Sequence, residues 1–109
     1  MIVERYLEAL TSHDWDGLRE CLHDDVVRVG PYNDEYRGRD AYVAFLSSLM
    51  PTLPGYSMDV EQITYVDSLA FAQLSETVAG KRTDEALVFE IHDGRIARVD
   101  VFIKTAAPR

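Results

Sequence analysis

The stretch from Tyr56 to Lys104 restricts the possible folds more than any other part of the chain. Four segments there, Ser57 to Val66, Ala70 to Val78, Glu85 to His92 and Ile96 to Lys104, carry the β-branched and aromatic residues and the period-two alternation of strands. The separators Asp67-Ser68, Ala79-Gly80-Lys81-Arg82 and Asp93-Gly94 are turn-forming, which implies antiparallel pairing. In the first segment the apolar parity changes from Met58 and Val60 to Ile63 and Tyr65. That change predicts a bulge near Glu61-Gln62 that bends the sheet and makes one face concave. In the last hairpin Leu87, Phe89 and Ile91 should share a face with Val99, Val101 and Ile103. A two-residue Asp93-Gly94 turn would set Leu87 opposite Asp100. A three-residue His92-Asp93-Gly94 loop sets it opposite Val99, and Phe89 opposite Ala97, so the longer loop is expected.

Ahead of the strands the period is helical. Val3, Tyr6, Leu7 and Leu10 open an amphipathic helix that ends at Thr11-Ser12-His13, and Asp14 is placed to cap a second helix carrying Trp15, Leu18, Cys21 and Leu22. Val26-Val27-Arg28-Val29 reads as a short strand ending at Gly30-Pro31, and Tyr32 to Arg37 can hold its return strand. From Gly38 a third helix presents Ala41, Tyr42, Phe45, Leu46 and Leu49 until Pro51 and Pro54-Gly55 stop it. Helices first and strands later imply α+β, and the tail Thr105 to Arg109 is expected to fray.

With 109 residues, 47% of them apolar, the chain suits one domain over residues 1–109 with one core. One cysteine, Cys21, cannot form an internal bridge, which suits a reducing, cytoplasmic setting. The start lacks a basic then apolar leader and no window approaches a membrane span, so neither secretion nor membrane contact is expected. A net charge of −8 with scattered basic residues speaks against nucleic acid. No Cys/His cluster has metal spacing and no Gly-rich loop could cradle a phosphate, so no metal or other cofactor is expected.

The order of elements resembles the nuclear transport factor 2-like superfamily, specifically its SnoaL-like and ketosteroid-isomerase-like members. The resemblance rests on Arg5-Tyr6-Leu7-Glu8-Ala9-Leu10, Asp14-Trp15-Asp16-Gly17-Leu18, Asp24-Asp25-Val26-Val27, Tyr36-Arg37-Gly38-Arg39-Asp40-Ala41 and Asp93-Gly94-Arg95-Ile96. It implies a cone-shaped, cystatin-like fold, with three N-terminal helices packed on a curved antiparallel sheet around an apolar cavity. It also implies homodimers through the outer sheet face, to which Val88 and Phe102 would contribute here. Activities in the superfamily include ketosteroid isomerisation, polyketide cyclisation, epoxide hydrolysis and dehydration, and some members only bind, so fold alone does not assign function.

Residue by residue, no family site transfers intact. The isomerases use an aspartate base with a tyrosine and a protonated aspartate. Tyr6 matches the tyrosine, but Gly30 stands at the base position and Leu87 at the second aspartate. The cyclases use a histidine on the last strand, where this chain has none, and Asp100 has the parity of the outer face. The epoxide hydrolases need an Asp-Arg-Asp relay that Arg28 alone does not supply.

The residues themselves nominate another set. Arg28 interrupts an apolar strand and needs a partner, and Glu76 breaks the apolar series Ala70, Ala72, Leu74 and Val78. If both face inward, they form a buried pair that holds a polar substrate group or a structural ion pair at the rim, or Glu76 acts as a general base. Tyr6 can donate to a ligand oxygen or serve as a core aromatic. Trp15, Tyr32, Tyr42, Phe45, Met58, Leu87, Phe89, Val99 and Val101 are candidates for the wall of a cavity or for simple core. The expected function is a small-molecule pocket for an apolar oxygenated compound, with isomerase, cyclase or hydrolase chemistry, or else a non-catalytic binding or dimerisation module.

Overall fold

The computed structural model describes residues 1–105, and the expected fraying of the tail beyond Thr105 lies outside them. α1 (Ile2–Thr11) and α2 (Trp15–Cys21) form a helical hairpin followed by β1 (Leu22–Val29), β2 (Glu35–Arg37), α3 (Arg39–Leu49) and a 3-10 turn (Met50–Thr52). β3 (Ser57–Val66), β4 (Leu69–Val78), β5 (Lys81–His92) and β6 (Arg95–Lys104) complete one six-stranded sheet ordered β2-β1-β6-β5-β4-β3. The sheet is mixed rather than wholly antiparallel. β1 lies parallel to β6, because the chain leaves β1 through β2 and α3 and returns to it only with its last strand.

Local chemistry sets the boundaries. Asp14 caps α2 by accepting from Gly17 N–H at 3.0 Å, and a Cβ on Gly17 would stand 2.4 Å from the Asp14 carboxylate, so the cap requires glycine there. Along β3 the register slips between Val60 and Gln62, leaving Glu61 as the bulge that the parity change predicted. The β5–β6 turn differs from expectation. His92 pairs with Arg95 across a two-residue Asp93-Gly94 turn whose φ angles, 53° and 75°, are those of a tight hairpin. Parity is restored by a slip between Glu90 and Ile91, which sets Leu87 opposite Val101 and Phe89 opposite Val99. A bulge inside the ladder thus restores the parity a longer loop would have given, but with a register two residues further along β6 than the expected Leu87–Val99 and Phe89–Ala97 pairs.

The concave face carries Ala70, Ala72, Leu74, Leu87, Phe89, Val99 and Val101, and the three helices cover one end of it with Val3, Tyr6, Leu18, Tyr42 and Leu46. Tyr6 packs edge-on against Tyr42 and Phe89, with ring centroids 6.3 and 5.7 Å apart. The Tyr6 and Tyr42 hydroxyls bond to each other, so two buried polar groups satisfy one another inside the core. Leaving either unpaired would cost about 1–3 kcal/mol.

Candidate active site

Beyond the helix-covered end, the concave face opens into a cavity with two chambers. The outer one, about 760 Å³, has walls of Phe45, Leu49, Leu53, Val78 and Ile103, with Tyr32 and Lys81 among its other lining residues. The inner one is a recess of about 110 Å³ floored by Tyr6, Leu10, Met50, Met58, Leu74 and Leu87. Arg28, Glu76, Glu85, Leu49, Leu53 and Val101 line both, so three ionisable side chains meet at the waist between two largely apolar spaces.

Strand geometry puts the two carboxyl groups together. Glu76 pairs with Thr83 and Leu74 with Glu85 across β4 and β5, so Glu76 and Glu85 are diagonal neighbours on the concave face, within reach of each other through long side chains. Tyr56, arriving from the loop before β3, donates its hydroxyl to Glu76 Oε2. Burial, then the hydrogen bond and charge of Glu76, push the Glu85 carboxyl up to about 9, against the opposing pull of Arg28. Glu85 therefore holds its proton at neutral pH. Burial also raises the Tyr6 hydroxyl to about 12, and burial together with Glu76 raises that of Tyr56, so both phenols are neutral.

Arg28 reaches the waist from β1, its side chain 14% exposed. Its guanidinium carbon lies 5.0 Å from the centre of the Phe45 ring, which itself stacks on Tyr36 at 4.0 Å. Its ion-pair partner is Asp34, at 3.9 Å, rather than Glu76. The loop that delivers Asp34 closes through Gly30 N–H to the Asp34 carbonyl at 2.8 Å, and its carboxylate fills the space where a Cβ on Gly30 would stand, 2.2 Å from Oδ1. Gly30 thus makes room for a carboxylate supplied from four residues further on. Arg28 Nη1 and Asp34 Oδ1 are both buried without hydrogen-bond partners, so this pair is loosely held.

Of the residues nominated from sequence, Arg28, Glu76 and Val101 line both chambers, Tyr6, Met58 and Leu87 the recess, and Tyr32 and Phe45 the outer chamber. The other four line neither. Trp15 stacks on His13 at 5.4 Å at the start of α2, Tyr42 turns its hydroxyl to Tyr6, and Phe89 and Val99 are fully buried in the core. Sequence reasoning missed Glu85, Tyr56 and Asp34. For Glu85 a signal was present, since it continues the alternation of Leu87, Phe89 and Ile91 by one step. No three His, Cys, Asp or Glu residues cluster as a metal site among the described residues.

The comparisons bear on this arrangement. A candidate ketosteroid isomerase from Kribbella flavida superposes with a TM-score of 0.89 at 20% identity, covering 99% of this chain and 78% of that one. An NTF2-like protein of unknown function from Mesorhizobium loti gives 0.86 at 23%, covering 95% and 88%. An LEH-like epoxide hydrolase from M. tuberculosis gives 0.80 at 23%, covering 94% and 80%. No curated protein matches the sequence. At these identities the likeness establishes the nuclear transport factor 2-like fold, and of the three neighbours two are named for different chemistries and the third for none. The SnoaL-like domain model matches residues 3–99, nearly the whole length of the chain, and the protein belongs to the SnoaL-like family.

Proposed function

We propose that this protein binds a small apolar oxygenated molecule in its cavity and moves protons on it without a cofactor, as an isomerase, cyclase or hydrolase. The observation that carries the reading is the carboxyl pair in an apolar cavity, with Glu85 kept protonated up to about 9 beside Glu76. Two like groups whose environments separate their protonation states can divide the roles of acid and base. Glu76, oriented by the Tyr56 hydroxyl, takes a proton from a carbon beside a carbonyl or from an attacking water. Glu85 gives its proton to the ligand oxygen, so the charge removed at one atom is neutralised at the other. In an isomerisation, return of both protons resets the pair; after a hydrolysis the product keeps the proton from Glu85, and the proton taken up by Glu76 passes to Glu85 to reset it. Arg28, reaching the same waist from β1, supports negative charge developing on that oxygen.

The test is turnover of ketones, epoxides and lactones, with proton exchange into heavy water as the readout for ketones. Glu76→Gln and Glu85→Gln should each lower the rate by about 10²–10⁴-fold, the usual contribution of a positioned acid or base. Turnover unaffected by both substitutions contradicts the assignment.

We further propose a homodimer through the convex sheet face. Phe102 is 57% and Phe71 40% exposed there, beside Val88, an apolar patch that a second copy would cover. Sedimentation should give a dimer for the natural chain and a monomer for Phe102→Asp. The single buried thiol of Cys21 suits a cytoplasmic setting for either form.

A further inference from the structure

The shape of the cavity defines the ligand more narrowly than its polarity does. Arg28, Glu76 and Glu85 border both chambers and so stand at the waist, and further polar groups such as Asp34, Lys81 and Thr83 belong to the outer chamber, whereas the recess is floored by Leu10, Met50, Met58, Leu74 and Leu87, with Tyr6 the one phenol among them. That phenol already shares its hydroxyl with Tyr42. A ligand whose oxygen sat at one extremity would leave the recess empty, and an unfilled apolar space forfeits the contacts its walls could make. Resting on the acid–base reading of the waist, the geometry points to a substrate whose uncharged oxygen function is internal, flanked by a short apolar arm in the recess and a larger apolar body in the outer chamber.

The volumes set the sizes. Taking about 30 Å³ for a water-sized group, the recess accepts roughly three or four carbons. The outer chamber, at about 760 Å³, accepts a ring system. Charge sets the oxygen's form. At the waist Asp34 accompanies Arg28 and two carboxyl groups stand beside it, so a ligand carboxylate placed there would enter beside acids, while the other lining cation, Lys81, belongs to the outer chamber alone. A ketone, epoxide or ester oxygen accepts from the Glu85 hydroxyl without that penalty. Met58, which pairs with Glu76 across β3 and β4 and projects into the recess, sets the limit on arm length.

The test is isothermal calorimetry with phenyl alkyl ketones whose unbranched arm grows from one to seven carbons. Affinity should rise by up to about fourfold per added carbon, the equivalent of burying one methylene, to an optimum at roughly three or four carbons, and then fall. Met58→Ala should move the optimum to a longer arm and Met58→Phe to a shorter one, so that loss of either variant to misfolding leaves the other. The matching ω-phenyl carboxylates should bind at least tenfold more weakly. Affinity that climbs steadily through seven carbons, an optimum that neither substitution moves, carboxylates that bind as tightly as ketones, or no ketone binding at all would each overturn the inference. The same series on Glu85→Gln separates the two readings: a retained optimum without turnover in the natural protein sinks the acid–base assignment and leaves the shape argument standing.

Discussion

β4 and β5 pass through two environments, and the contrast between them explains where this protein keeps its chemistry. At one end Ala70 and Ala72 face Phe89 and Leu87 beneath the helices, every one of them buried. At the other end the same face of the same strands carries Glu76, Thr83 and Glu85, along with Val78, and borders a cavity. Backbone pairing is continuous across both. The difference lies in the cover: α1 and α3 press Tyr6, Tyr42 and Leu46 onto the first end, whereas Leu49, Leu53 and Tyr56 only rim the second. A closed end supplies stability, and an open end can hold Glu85 in a setting dry enough to raise its carboxyl well above the usual range.

Cutting the same kind of bulk from each end should expose this contrast most sharply. Phe89→Ala removes a fully buried ring that packs on Tyr6 and should cost about 3–5 kcal/mol in denaturant unfolding. Val78→Ala, at the cavity wall, should cost less than about 1 kcal/mol. Equal losses would mean the two ends are packed alike.

Gly30→Ala probes the loop that brings Asp34 to Arg28. Its new Cβ would collide with the Asp34 carboxylate, and displacing that group should cost about 1–3 kcal/mol and loosen the Arg28 side chain at the waist. A variant as stable as the natural protein would show that Asp34 moves aside freely.

The smallest effect expected is on stability and pH. The Glu85 carboxyl rises from an ordinary 4.5 to about 9 on folding. The folded state therefore binds the proton more tightly than the unfolded chain. The stability this confers is full below about 4.5 and is lost as pH rises through about 9. Thermal unfolding should show a decline over that window which Glu85→Gln lacks, with the variant gaining about 1 kcal/mol near pH 8 after allowance for partial exposure. Parallel pH curves for the two proteins would remove Glu85 as the titrating group.

The same contrast governs what was legible in the sequence. Periodicity reports burial under a regular cover, so the three helices, the four long strands and the Glu61 bulge could be read from alternation alone. The β5–β6 register could not, because a three-residue loop and an in-strand bulge correct the same parity error and differ only in which residue is extra. At the site, Glu76 was visible as a break in an apolar series, while Glu85 stood where the apolar run of β5 gives way to the charged Lys81-Arg82-Thr83-Asp84, so it read as the start of a strand. Asp34 and Tyr56 come from loops, where no period applies, and only the closed chain brings them to Arg28 and Glu76. Trp15 read equally as wall or core, since an amphipathic helix presents an aromatic the same way to either, and it packs against the core at the start of α2, stacked on His13.

The proposed chemistry turns on one proton, that of Glu85. Carbon-13 NMR of side-chain carboxyls, with Glu85 assigned by comparison with Glu85→Gln, measures it directly. An apparent midpoint near 9 for Glu85, falling when Glu76 is replaced by Gln, is the predicted result. A midpoint near 4.5, indifferent to Glu76, would contradict the acid–base pair and leave the cavity a binding site alone.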